Sequence, residues 1–185
     1  MKDIRSDMSD LNRLLISIHH PVNNLFHGST LLAVSVSLFV VGKLFRSRIS
    51  EVAKSLIFGF LVSGIASQIL KNIFGRMRPK FTTDTIFIGP SLRDMYHSFP
   101  SGHTAVVFCF ASVLSGYYPR FSLLFYFAAA IAGFDRIFLF QHFPSDVIAG
   151  AMLGLVSGRV VTTILSNHGS LRESYQLLRG SAPQQ

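Results

Sequence analysis

The segment Ala53–Phe74, AKSLIFGFLVSGIASQILKNIF, decides the fold. It has about the 20 mostly apolar residues that carry a helix across a bilayer core roughly 30 Å thick. Its only charged residues, Lys54 and Lys71, stand near its two ends. Working outward, Gly28–Phe45 precedes it, and Gly102–Tyr118, Phe121–Gln141 and Phe143–Leu165 follow. The chain therefore reads as all-α, an integral membrane helical bundle of five, or six, transmembrane helices. Composition agrees: 49% of the 185 residues are hydrophobic and 14% charged, against about 25% charged in soluble domains. The mean hydropathy of +0.43 points the same way. Disorder is excluded, since it requires low hydrophobicity. A net charge of +8 would suit a nucleic-acid binder, but too few charges remain to solvate a soluble surface, and no nucleic-acid partner is expected. A single cysteine, Cys109, excludes a disulfide framework or a cysteine-rich metal site.

Small residues recur inside the spans. Gly150, Gly154 and Gly158 fall four apart and share one helix stripe, which lets helix backbones approach closely in lipid. Before the first span, Met8, Leu11, Leu14, Leu15 and Ile18 repeat at helical spacing among Asp7, Asp10, Asn12 and Arg13. That pattern predicts an N-terminal amphipathic helix lying in the membrane interface. From about Ser166 the chain turns polar, and an irregular tail is expected. Lys43, Arg46, Arg48, Lys54 and Arg120 flank the short connections on one side. The positive-inside rule makes that side cytoplasmic.

Ionisable residues within membrane segments are expensive and are functional hypotheses by default. Here they gather at the other side. Lys71 ends the second span and Arg76 and Arg78 follow it. Ser101 and His103 open the third, Asp135 and Arg136 lie late in the fourth, and His142 and Asp146 open the fifth. Lys71, Arg78 and Arg136 offer positive charge, the arginines as forked donors that match phosphate oxygens. Pro100-Ser101-Gly102-His103 places backbone N–H groups at a helix start, a ready anion site. His142 and Asp146 are spaced i, i+4 and would share a helix face, so the carboxylate could orient the imidazole. An oriented imidazole beside bound phosphate is a nucleophile, and His103 could protonate the departing oxygen. These parts amount to phosphoryl transfer through a phosphohistidine, followed by hydrolysis.

The three motifs resemble those of the type 2 phosphatidic acid phosphatases, the lipid phosphate phosphatases that share a core with vanadium haloperoxidases. K-x6-R-P reads KNIFGRMRP from Lys71 to Pro79, and P-S-G-H stands unchanged at Pro100–His103. S-R-x5-H-x3-D reads DRIFLFQHFPSD from Asp135 to Asp146, with aspartate in place of serine. Ten matching positions have a chance near 10⁻¹³ per placement, at roughly one in 20 for each.

The resemblance implies that Lys71, Arg78 and Arg136 bind the phosphate, with Ser101, Gly102 and His103 adding donors. It makes His142 the nucleophile, His103 the general acid and Asp146 the partner that orients His142. It implies a family catalytic domain over residues 28–165, between the interfacial segment 1–27 and the polar tail 166–185. No metal or other cofactor and no obligate protein partner are expected. Asp135 is expected to turn away from the phosphate or to pair with a spare cation such as Arg76. Arg76 itself reads as a headgroup anchor, and Tyr96, Phe99 and Phe143 as candidate lining for an acyl or prenyl groove. The reading that follows is a lipid phosphatase of a bacterial inner membrane, its site facing the periplasm or exterior, acting on a lipid phosphomonoester or diphosphate. A phosphotransferase using the same histidine is the alternative within enzymes. An inactive lipid-binding protein is the alternative outside them.

Overall fold

The computed structural model describes residues 24–45, 48–82, 84 and 86–180, with side chains through residue 165. The amphipathic helix expected over Met8–Ile18 lies outside the described residues. Among those described, five α-helices follow one another: α1 Gly28–Leu44, α2 Ile49–Phe74, α3 Gly102–Tyr117, α4 Ser122–Phe138 and α5 Pro144–Gly180. Three segments are long and apolar enough to cross a membrane, Ile49–Phe74, Pro119–Phe138 and Pro144–Leu165. The other two apolar helices, α1 and α3, have 17 and 16 residues.

α3 is the axis. Helices α2, α4 and α5 all pack on it, and α1 packs mainly on α2. Its buried run from Thr104 to Val113 includes Val106, Cys109, Phe110 and Val113, which meet Val52 and Leu56 of α2. Apolar side chains face outward as well: Leu123 is 84% and Phe134 67% exposed. Several serines point inward instead, and Ser35, Ser55 and Ser63 are fully buried. Ser63 Oγ donates to the Gly59 carbonyl and Ser35 Oγ to that of Leu31, so each polar group is satisfied within its own helix. This inside-out composition suits lipid, where tails solvate leucine as well as a core does and small residues mark helix contacts.

The glycine stripe does what its spacing suggested. A Cβ on Gly150 would stand 2.4 Å from the Ser101 carbonyl oxygen, and one on Gly154 2.2 Å from that of Ala105. One on Gly158 would meet Ser112 Cβ at 2.6 Å. The α3 and α5 backbones touch along three turns because no side chain intervenes.

Several boundaries differ from the sequence reading, and α2 starts at Ile49 rather than Ala53. α4 stops at Phe138 rather than Gln141, and α5 starts at Pro144 rather than Phe143. Residues 139–143 are therefore a connection, shaped by backbone bonds that the apolar pattern does not reveal. At the far end the backbone stays helical past Leu165 to Gly180 instead of breaking at Ser166. Leu171, Arg172, Glu173, Gln176, Leu177 and Leu178 are good helix formers, and no proline intervenes before Pro183.

Candidate active site

Four junctions build the site. α2 ends at Gly75, whose φ of 56° is left-handed and whose N–H bonds the Lys71 carbonyl. A Cβ there would lie 1.9 Å from the Gly89 carbonyl oxygen, so the turn requires glycine. Beyond it Arg76 runs between two neighbours, pairing with Phe87 on one side and His97 on the other. The bonds Met77 N–H to Ile86, Ile88 N–H to Gly75 and Ser98 N–H to Arg76 hold the segment 76–98 as a knot over the bundle end. Phe74, Phe87 and Phe99 pack edge to face along it, with ring centroids 5.2 Å apart for Phe74 and Phe99.

α3 begins at Ser101, whose hydroxyl accepts from the Thr104 N–H and the Thr104 hydroxyl. Both bonds leave the Ser101 proton uncommitted. Ser101 N–H donates to the Asp146 carbonyl at 2.9 Å, which ties the start of α3 to the first turn of α5. The next N–H groups, of Gly102 and His103, are among those that a helix start leaves without intrahelical acceptors. Lys71 Nζ lies 3.5 Å from where a Gly102 Cβ would be, so a bare backbone and an ammonium group share one space. His103 Nε2 is buried without a hydrogen-bond partner.

α4 closes with a left-handed Phe140, φ 53°. Gln141 N–H bonds the Arg136 carbonyl and Phe140 N–H that of Ile137, the paired pattern of a Schellman motif. The same Arg136 carbonyl accepts from His142 N–H at 3.2 Å. Arg136 and His142, six residues apart, are thus locked together through one oxygen. Gln141 Oε1 then accepts from Arg78 at 3.2 Å, which joins the first motif to the third.

α5 opens with proline at its first position and Asp146 at its third. The Asp146 carboxylate reaches back to Phe143 N–H at 2.9 Å, one half of a capping box. The same carboxylate takes the Ser98 hydroxyl at 2.6 Å and the Arg76 guanidinium at 2.5 Å. Arg76, 4% exposed, also bonds Ser145 and lies over the Phe143 ring, 4.2 Å from its centroid. Asp146 is fully buried, and this set of partners is what lets its charge stay there.

His142 lies just outside α5, 5% exposed. Its Nδ1 donates to the Ser98 carbonyl at 2.7 Å. A carbonyl can only accept, so the neutral imidazole carries its proton on Nδ1 and the lone pair on Nε2. Asp146 Oδ2 is 3.8 Å from Nδ1, within electrostatic reach but beyond a hydrogen bond. Burial pushes His142 below the ordinary imidazole range. The Asp146 carboxylate opposes that fall, and Lys71 and Arg78 add to it.

Lys71, Arg78, Ser101, Gly102, His103, Arg136, His142 and Asp146 thus converge at one end of the bundle, though three expectations need correcting. His142 and Asp146 do not share a helix face, since the helix starts between them. The acceptor on His142 is a backbone carbonyl, with Asp146 holding its owner, Ser98. Asp135 pairs with its neighbour Arg136 and not with Arg76; the long arginine side chain spans the 100° between adjacent helix positions, and Arg76 is already held by Asp146. Arg76 is no headgroup anchor but the buried counter-ion of the site. Phe143 lies against the Arg76 guanidinium, and Phe99 packs edge to face on Phe74 and Phe87. Ser98 and Gln141 were invisible to motif reasoning: one acts through its main chain, the other bridges loops distant in sequence. Among the described residues no three His, Cys, Asp or Glu side chains gather as a metal site.

A family model described as PAP2 superfamily matches residues 52–170. A lipid A 1-phosphatase of Rhizobium johnstonii is 31% identical over 126 residues, 66% of this chain and 52% of that protein. An undecaprenyl-diphosphatase of Sulfolobus acidocaldarius is 28% identical over 58% of this chain and 52% of its own length. The chain spans about half the length of these curated relatives, 52% of each. The crystal structure of LpxE from Aquifex aeolicus superposes with a TM-score of 0.64 at 28% identity, over 81% of this chain and 86% of that one.

Proposed function

The chain belongs to the PAP2 superfamily, and from that premise we propose that it is a membrane phosphatase. It releases phosphate from a lipid phosphomonoester or diphosphate through a phosphohistidine. The observation that carries this reading is the bond from His142 Nδ1 to the Ser98 carbonyl. It fixes the tautomer and leaves the Nε2 lone pair to attack.

In the first step Nε2 bonds to phosphorus as the bond to the lipid oxygen breaks, and His103 gives that oxygen its proton. Lys71, Arg78 and Arg136 balance the charge on the phosphoryl oxygens, and the Gly102 and His103 N–H groups donate to them. In the second step His103, now neutral, takes a proton from water. The water oxygen bonds to phosphorus, the P–N bond breaks, and inorganic phosphate leaves. Asp146 stabilises the imidazolium through charge at 3.8 Å. The cations and backbone donors make a metal unnecessary.

Two curated lipid A 1-phosphatases at 31% and 32% identity support a lipid A 1-phosphate as the leading substrate. The test is phosphate release by purified protein from lipid A, undecaprenyl diphosphate, phosphatidylglycerol phosphate and phosphatidate, with and without EDTA. We expect chelator-resistant release that is fastest on lipid A; no release from any of the four would overturn the phosphatase reading. The cations at the opposite end, Lys43, Arg48 and Arg120, favour a site on the outer face of the inner membrane. In a Cys109→Ser background, Lys80→Cys should react with an impermeant thiol reagent in spheroplasts and Arg120→Cys should not. The reverse pattern would place the site in the cytoplasm.

A further inference from the structure

At the end of the bundle away from His142, the last turn of α3, the first turn of α4 and α5 around Arg159 enclose a cavity of about 420 Å³. Ser112, Ser115, Ser122, Tyr126, Arg159 and Thr162 line it, with no acidic side chain among the described residues that line it. Its depth makes it costly. Arg159 follows Pro144 by four turns, about 22 Å along α5 at 1.5 Å per residue. α3 itself is about 24 Å long, short of the roughly 30 Å hydrocarbon core. The cavity is a polar recess at this end of the bundle. An exposed arginine at the mouth of a hydroxyl-lined cavity, within a membrane-spanning segment, calls for a ligand or a partner.

The donors and acceptors indicate which. Ser112 Oγ donates to the Leu155 carbonyl at 3.2 Å, Ser122 Oγ to Pro119 at 2.7 Å and Thr162 Oγ1 to Gly158 at 2.8 Å. Their protons are committed to backbone, so these oxygens meet a ligand as acceptors. Ser115 Oγ, in contrast, is buried without a partner. Arg159 supplies the charge. Outside the recess, Leu123, Phe127, Val160 and Ile164 of the same two helices are exposed and apolar.

We propose that this recess binds the headgroup of an anionic glycerophospholipid. Arg159 and Ser115 hold its phosphate. Ser112, Ser122 and Thr162 accept from its headgroup hydroxyls, and the acyl chains lie along α4 and α5. Such a lipid ties the end of α3 to the middle of α5, opposite the catalytic layer.

The test is native mass spectrometry of the full-length protein, delipidated in detergent and titrated with phosphatidylglycerol, phosphatidylcholine or soluble glycerol 1-phosphate. Wild type should retain one phosphatidylglycerol under activation that strips phosphatidylcholine. Arg159→Gln should weaken that binding at least tenfold and Ser115→Ala about threefold. Both variants should keep lipid phosphatase activity within twofold, which shows that they are folded. Phosphatidylglycerol seated in the catalytic layer would not respond to Arg159, so equal retention by wild type and Arg159→Gln overturns the site. Equal retention of phosphatidylcholine overturns the anionic specificity, and equal binding of glycerol 1-phosphate overturns a lipid as the occupant.

Discussion

Along the α3–α5 seam three glycines set backbone against backbone, whereas at the seam's end one carboxylate, Asp146, gathers Arg76, Ser98 and the Phe143 N–H. The same two helices are held by opposite means. The seam has no chemistry to lose but no volume to spare. The layer is held instead by charges that depend on one another, Arg76 on Asp146 and Arg136 on Asp135. Substitutions that add volume should therefore be felt in the seam, and substitutions that remove charge in the layer.

The largest effect should come from His142→Ala, which removes the reacting atom and leaves the packing almost untouched. Phosphate release should fall at least about 10³-fold, several kcal/mol of barrier, while thermal unfolding in detergent barely moves. Activity within tenfold of wild type would rule out His142 as nucleophile. The same residue sets a pH dependence. His142 must be neutral to attack, and burial lowers its pKa below the ordinary value of 6.5. Activity should therefore persist below pH 6.5 and fall only as pH drops through the lowered value. An acidic limb of kcat/KM at or above 6.5 would contradict this. Stability follows the same sign: the unfolded chain takes up this proton first, so acidification below 6.5 costs folding free energy.

Arg76→Met separates charge from volume in the layer. It leaves Asp146 buried opposite no cation, a change that costs about 3–5 kcal/mol when one partner of a buried pair is removed. Unfolding in detergent should shift strongly, and activity should drop because Ser98, and through it His142, loses its support. A double substitution with Asp146→Leu should recover part of the stability and none of the activity. Recovery of both would mean that the pair serves folding alone.

In the seam, Gly154→Ala places a Cβ 2.2 Å from a carbonyl oxygen, so the helices must separate. Overpacking of this kind costs about 1–3 kcal/mol. Gly64→Ala is the control, since nothing lies within 4 Å of its added Cβ; it should be neutral or stabilise by up to about 1 kcal/mol through helix propensity. Equal effects of the two substitutions on unfolding would refute the close-packed seam.

These regions also differed in how far they could be read in advance. The seam was legible because glycines four apart encode a face directly. The three motifs were legible because their residue types at Lys71, Ser101–His103 and His142 stand at fixed spacings, and the fold brings them to one end of the bundle. What stayed hidden works through main chain or through distance. The Ser98 carbonyl on His142 has no residue signature. Arg76 looked like one more cation after a span, because its partner Asp146 lies 70 positions away. The i, i+4 spacing of His142 and Asp146 misled for a related reason. Asp146 bonds back to Phe143 as a helix cap, so the residues that look like one face are a loop residue and the first turn of a helix.

The smallest expected effect concerns Phe140, which joins the two regions by turning α4 toward the layer. Its φ of 53° is a conformation that a Cβ disfavours by about 1–2 kcal/mol. Its side chain is 67% exposed, so little packing offsets that strain. The Schellman bonds from Phe140 and Gln141 need the turn but not the ring. Phe140→Gly should therefore raise stability in detergent by about 1 kcal/mol, the relief expected for a left-handed position. Because the Arg136 carbonyl still holds His142 N–H, turnover of a detergent-soluble substrate should stay within twofold. The comparison sharpens in vesicles. If stability rises in detergent but falls in bilayers, the phenyl ring is a lipid anchor whose immersion outweighs the strain. If stability falls in both, the ring packs against protein, and the turn is held by that packing rather than by its backbone bonds.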